Sequence, residues 1–187
     1  MTERRYYMAC LDLTGRSCLV VGGGRVGTEK AEGLLECGAR VTVVAPEIRP
    51  ELAALVVETL KRRYQASDLD ERFLVVAATS SYEVNRRVWA DAEERRMFCN
   101  VADVPELCSF ILPAVVRRDP IAIAVSTGGA SPALAQRIRD EIGEVVGPEH
   151  AELARTLRDL RPWAKENLGT YEERRDFFAG VVEERLG

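Results

Sequence analysis

Glycines at positions 22, 24 and 27, in the run Val21-Gly22-Gly23-Gly24-Arg25-Val26-Gly27, have the spacing G-x-G-x-x-G. They follow a short apolar run, "SCLVV", and open a helical pattern. In that placement each glycine has its own role. The first makes a tight strand-to-helix turn, the second lets the backbone approach a pyrophosphate, and the third lets the helix pack close to the strand. The pyrophosphate would lie on the free N–H groups at the positive end of the helix. Gly22, Gly24, Arg25, Val26 and Gly27 are therefore candidate contacts to a dinucleotide; a tight turn without a ligand is the simpler alternative.

Where such sites usually carry an acid for the ribose, the next β-rich run, "RVTVVAP", ends in Val43-Val44-Ala45-Pro46. Glu47, beside Pro46, is the candidate ribose acceptor. A missing acid can signal NADP, but an Arg should then stand close by for the extra phosphate. Arg49 is separated from this point by Glu47 and Ile48, so NAD is the expected cofactor.

Further along, "RFLVVAATS" ends in small residues, with Ala78 and Thr79 at the carboxyl edge where open α/β sheets bind ligands. They leave room for a nicotinamide or adenosine group, although a strand packed beneath a helix asks for the same residues. Asn85 either caps or lines this region or is simply solvated. Asp103 ends "MFCNVAD", with Asn100 just before it; a carboxylate there can take a proton from a bound substrate if its surroundings tune it. Standing before Val104-Pro105, it could equally be a turn former.

A second glycine-rich turn, "STGGASPALAQRIR", places Thr127, Gly128 and Ser131 at a helix start, a plausible anion-binding concavity. Arg137 and Arg139, with Arg117 and Arg118 upstream, are the local cations that a polycarboxylate would need. Each alone reads as a solvated charge. His150 is the one histidine, beside Glu149, and reads as an exposed first-turn residue; no transition-metal site is assigned.

The elements that must position these groups alternate. Strand-like runs "SCLVV", "RVTVVAP", "ALVVETLKR", "RFLVVAATS" and "MFCNVAD" are separated by helical patterns, among them "VGTEKAEGLLECGA", closed by Gly38, and "YEVNRRVWADAEERR". The pattern predicts an α/β fold: a Rossmann-type doubly wound parallel sheet with right-handed crossovers. Past Asp103 two β-rich runs flank the turn signal "RRDP", without a helix between them. Then Ser131 and Pro132 mark a helix start. Amphipathic helices are expected over about 148–168 and 171–186, with Phe177 and Phe178 as a packing face.

With 187 residues, 47% of them hydrophobic, the chain can bury a core and is compatible with one domain plus a smaller appended one. A net charge of −4 gives no reason to expect nucleic acid, whose binding rests on clustered cations. The five cysteines show no C-x-x-C pair and read as reduced and mostly buried. "MTERRYYMACLDL" lacks a signal-peptide core and no run reaches membrane-span length, so a cytoplasmic protein without membrane contact is expected.

Taken in order, "CLVVGGGRVGTEKAEGLLECGARVTVVAP", "FLVVAATSSYEVNRRV", "FCNVADVPELCSFILPAVV", "IAIAVSTGGASPALAQRIR" and "ERRDFF" resemble the precorrin-2 dehydrogenase family, the N-terminal region of siroheme synthases. The resemblance implies an NAD-binding Rossmann domain over 1–113, a β-rich dimerisation region over 114–147 and a helical C-terminal domain over 148–187, assembled as a homodimer. It also implies NAD-dependent oxidation of precorrin-2 to sirohydrochlorin and, in bifunctional members, ferrous iron insertion to give siroheme. The essential aspartate of the family falls on Asp103. Asn100, Arg117, Thr127, Gly128, Ser131 and Arg137 become candidate substrate contacts, with Thr127 standing where some fused members carry serine. Gly27 stands where many members have alanine, a change expected to be harmless to helix packing. The methyltransferase domain of fused members is not in the sequence, so precorrin-2 is expected from another protein. A rival reading from another class is a non-catalytic NAD-sensing module acting on a protein partner.

Overall fold

The computed structural model describes residues 5–187; the first four residues of the N-terminal run "MTERRYYMACLDL" lie outside the described residues. The chain divides into two compact units, 1–111 and 112–187.

In the first unit five strands, β1 (Ser17–Val21), β2 (Arg40–Val44), β3 (Glu58–Leu60), β4 (Leu74–Ala77) and β5 (Phe98–Val101), form one sheet in the order β3-β2-β1-β4-β5. Every pairing is parallel, as the alternating pattern predicts. Period-two alternation distributes the side chains to two faces. Cys18 and Val20 of β1, Val41 and Val43 of β2 and Leu74 and Val76 of β4 join Ala31 and Leu34 of helix α1 (Arg25–Glu36) and Leu52 of helix α2 (Pro50–Leu55). Leu19, Val21, Val44, Val75 and Ala77 point the other way and meet Val88 and Ala92 of helix α3 (Tyr82–Glu94). Both faces are covered, which is why β4 is apolar and buried throughout.

Helix starts and stops follow local chemistry. α3 begins at Ser81, whose Oγ accepts from the Val84 N–H at 3.3 Å. α1 has no side-chain cap at all. It ends where Gly38, at φ +78°, turns the chain into β2.

The second unit holds an antiparallel hairpin, β6 (Ala114–Arg118) and β7 (Ile121–Val125), around Asp119-Pro120. Helices α4 (Pro132–Val145), α5 (Pro148–Asn167) and α6 (Tyr171–Leu186) follow. Val116, Ala135, Ala151, Leu153 and Ala164 are its buried apolar residues. Arg155 of α5 donates to the Asp119 carbonyl at 2.7 Å and ties down the hairpin tip. Phe177 meets the Trp163 ring at 5.3 Å, so the expected packing face exists. α6 is nonetheless not the amphipathic helix that was expected, since none of its residues is buried.

Among the cysteines only Cys18 and Cys99 are buried, Cys37 and Cys108 are partly covered and Cys10 is exposed; the expected general burial fails because three of them lie outside the strand interiors. Burial pushes the Cys18 thiol up to about 11 and the Cys99 thiol up to about 12, so neither is a thiolate nucleophile at neutral pH. Among the described residues no helix is long and apolar enough to cross a membrane.

Candidate dinucleotide-binding and active site

The parallel ladder runs one residue past the strand ends. Gly22 N–H donates to Val44 O at 3.0 Å, Ala78 N–H to Val21 O at 2.8 Å, Ala102 N–H to Ala77 O at 2.9 Å and Ala45 N–H to Leu60 O at 3.1 Å. Gly22, Ala45, Ala78 and Ala102 thereby stand in a row along the carboxyl edge. None has a side chain beyond Cβ, and the row lines a cavity of about 1000 Å³.

The glycine turn closes one wall. Gly22 sits at φ +130°, and a Cβ there would collide with the Ala78 carbonyl. Gly23 is held from outside: Arg49 N–H donates to its carbonyl at 3.0 Å, and a Cβ on it would strike the Glu47 carbonyl. Gly24 differs, because a Cβ there would meet nothing within 4 Å on the cavity wall. A Cβ on Gly27 would run into the Gly22 carbonyl, so alanine is not harmless in this backbone; the turn sits too close beneath α1.

These features fit a dinucleotide pyrophosphate. Space is open in front of Gly24, the start of α1 has no side-chain cap, and its first turn carries no acid to neutralise the helix dipole. The N–H groups around Arg25 and Val26 would hold it. Gly22, Gly24, Arg25, Val26, Pro46, Glu47, Ala78 and Thr79 all line the cavity, whereas Gly27 packs behind the turn. Arg49, considered above for a 2′-phosphate, instead pairs its Nε with Glu51 at 2.6 Å and is not on the cavity wall.

Asp103 is on that wall, one residue past the row of small side chains. Its φ is +62°, a left-handed conformation that Asp tolerates better than most residues. Its carboxylate is exposed and makes no hydrogen bond or ion pair among the described residues. The loop that carries it is fastened from behind: Asn100 Nδ2 donates to Phe110 O at 3.0 Å, Val101 N–H reaches Cys108 Sγ at 3.2 Å, and Ser109 Oγ accepts from Cys99 N–H at 2.8 Å. Asn100 is 7% exposed and belongs to this fastening, off the cavity wall.

Thr79 is fixed by Asn85, which is buried and far from solvated: its Oδ1 accepts from Thr79 Oγ1 at 2.7 Å and its Nδ2 donates to Thr79 O at 3.0 Å. Arg63, Tyr64 and Arg87 are among the wall residues not expected from the sequence. The Tyr64 hydroxyl donates to Asp91 Oδ2 at 2.9 Å. Burial first, and that hydrogen bond second, push its phenol far above the ordinary range, so it remains a donor. The Arg87 guanidinium lies 5.9 Å from the Tyr64 ring centroid.

The remaining candidates lie in the second unit. Thr127 Oγ1 accepts from Ser131 N–H at 3.1 Å, and Ser131 Oγ caps α4 by accepting from Leu134 N–H at 3.1 Å, so the concavity around Gly128 is braced by its own hydroxyls. Arg137 Nε donates to Glu141 at 2.6 Å, and Arg117 is on β6. His150 is partly covered instead of exposed, because its Nδ1 accepts from Gly147 N–H at 3.2 Å and closes the start of α5. Among the described residues no cluster of three or more metal-ligating side chains occurs.

The family described as "Putative NAD(P)-binding" matches residues 9–114, more than half of the chain. The chain belongs to this NAD(P)-binding family. A second family, described as "Sirohaem biosynthesis protein central", matches residues 118–144. A siroheme synthase of Methylobacillus flagellatus is 40% identical over 184 residues, 94% of this chain and 39% of the relative. One from Thioalkalivibrio sulfidiphilus is 41% identical over 182 residues, 95% and 37% respectively. The chain thus spans about two fifths of the length of the siroheme synthases it matches. The solved structure of SirC, a precorrin-2 dehydrogenase, superposes with a TM-score of 0.81 at 28% identity, covering 97% of this chain and 93% of that one. The family resemblance read from the five segments is borne out, as is the Rossmann-type sheet.

Proposed function

We propose that this chain oxidises precorrin-2 to sirohydrochlorin with NAD as acceptor. The observation that carries the reading is a single cavity that joins the glycine turn to the Asp103 carboxylate. When bound, NAD supplies the two-electron acceptor for a hydride. The protein's own part is to hold the pyrophosphate on the α1 N–H groups, to leave room along the row of small residues, and to take the proton. Oxidation removes a hydride and a proton from the macrocycle, and Asp103 accepts that proton on a carboxylate oxygen. Its left-handed backbone is the local strain expected where a residue is held in place for function.

The likeness to SirC and to siroheme synthases supports the substrate class. Arg117 and Arg137, with the turn of Thr127, Gly128 and Ser131, are proposed contacts for acidic arms of the substrate, Arg137 by exchanging Glu141 for a carboxylate. Asn100 acts through the loop it fastens. A homodimer is proposed from the apolar surface that the second unit leaves open. Leu134 and Val145 of α4 are 51% and 72% exposed, apolar surface that a second copy would cover. Ferrous iron is proposed as a second substrate, inserted into sirohydrochlorin with loss of two pyrrole protons. Free cysteines throughout the described chain suit a cytoplasmic location.

The test is anaerobic turnover of enzymatically generated precorrin-2 with NAD, following NADH and sirohydrochlorin absorbance together, then adding ferrous iron. Stoichiometric appearance of both products is the expected result. NAD binding without NADH production would sink the proposal in favour of a sensing module.

A further inference from the structure

The cavity has two ends, and sheet order separates them. Asp103 follows β5 at one edge; Arg63 and Tyr64 follow β3 at the other. Four strand spacings of about 4.8 Å lie between these edges, roughly 19 Å in all. The glycine turn follows β1, in the middle. A dinucleotide whose pyrophosphate sits on that turn, with its redox ring towards Asp103, must send its adenosine towards β3.

At that end one group has a built support. Tyr64 is 8% exposed, and its hydroxyl is anchored on Asp91 of α3. Arg87, one helical turn before Asp91, lies over the Tyr64 ring and also faces the Asp91 carboxylate, Nε to Oδ2 at 3.8 Å. The Arg87 side chain is nevertheless 62% exposed and on the cavity wall. A planar cation backed by a fixed ring and a carboxylate, with its outer side open, is a stacking platform.

We propose that Arg87, braced by Tyr64 and Asp91, stacks on the adenine ring of the dinucleotide and is a specificity-determining residue of the site. This rests on the NAD-binding part of the function proposed above, and it is separable from the oxidation step. The guanidinium covers the purine face and offers no base-edge readout, so the platform selects a flat aromatic base over an open space. Lysine cannot replace it, because an ammonium has charge but no plane.

The experiment is calorimetric binding of NAD, ADP-ribose and nicotinamide mononucleotide to the whole chain and to its Arg87→Ala, Arg87→Lys and Tyr64→Phe variants. Melting curves check that each variant is folded. Arg87→Ala should weaken NAD and ADP-ribose by roughly tenfold each, as loss of one base-stacking contact does. Arg87→Lys should not restore them, and nicotinamide mononucleotide should bind all forms alike. If the wild type binds ADP-ribose and folded Arg87→Ala binds it equally well, the platform is wrong while the oxidation reading is untouched. Arg87-dependent binding in a protein that fails the turnover test would leave the platform standing and remove the oxidation reading. Failure of the wild type to bind NAD or ADP-ribose would overturn the platform.

Discussion

Replacing Gly24 by alanine separates cofactor binding from folding. Gly24 has φ −88° and ψ −170°, open to any L residue, and an added Cβ would touch nothing within 4 Å. In the fold, a compatible Gly→Ala change gains about 0.4–1 kcal/mol through the unfolded chain. Alanine is the poorer helix N-cap by roughly 1 kcal/mol, so the two effects nearly cancel. The melting midpoint should therefore stay within about 4 °C of wild type. In the complex, the methyl group would hold the pyrophosphate away from the N–H groups of α1. Losing one hydrogen bond to a charged group costs about 1.5–3 kcal/mol. At 1.4 kcal/mol per factor of ten, NAD should bind about 10- to 150-fold more weakly. Titration calorimetry with NAD, alongside a thermal melt of the same preparation, reads both quantities. A stable variant that binds NAD within about twofold of wild type would refute the placement of the pyrophosphate on this turn.

Gly27, behind the turn, should behave in the opposite way. Gly27→Ala drives a Cβ into the Gly22 carbonyl, so urea unfolding should show a loss of about 1–3 kcal/mol; an unchanged midpoint would mean that α1 can shift freely. Asp103→Asn keeps the side-chain shape and the tolerance for the left-handed backbone but removes the proton acceptor. Precorrin-2 oxidation should fall by at least about a hundredfold with NAD affinity retained, and normal turnover in this variant would end its catalytic assignment. Asp68 tests pH dependence. Burial alone would raise its carboxyl, but hydrogen bonds from Arg62 and from Gln65 N–H outweigh that and hold it below its ordinary value. Its contribution should be complete above the unfolded value of about 3.9 and vanish as pH falls through the lower folded value. Asp68→Asn should be less stable than wild type near neutrality, with the gap closing in acid; a gap that does not change with pH would rule out a titrating contribution.

Much of this site was legible in the sequence because its signals are local. A glycine spacing between an apolar run and a helical pattern implies the strand, turn and helix without knowledge of anything distant. Ser131 followed by Pro132 marked the start of α4 for the same reason, and Ser131 does cap it. Other elements were less legible. α2 is only Pro50–Leu55, too short to show a helical period, although Pro50 at its first position was a usable signal. α6 was expected to bury one face, but its charges and aromatic residues do not separate into sides. For Asn85 a capping, lining or solvated role stayed open, because nothing local says that its amide will close on the backbone of Thr79.

By itself, the sequence determined the class of fold, the order of its strands, the glycine turn and the family, all of which depend on neighbours along the chain. Tertiary structure decided which residues share the cavity. The row of Gly22, Ala45, Ala78 and Ala102 exists because four strands pair in one register, so a one-residue slip in any of them would scatter it. Arg87 reaches Tyr64 only because α3, which packs on β4 and β5, also meets the 66–69 turn just after Tyr64. Periodicity records which face of an element is apolar, but not which other element that face will meet, and that pairing places Arg63, Tyr64 and Arg87 on the same wall as the glycine turn.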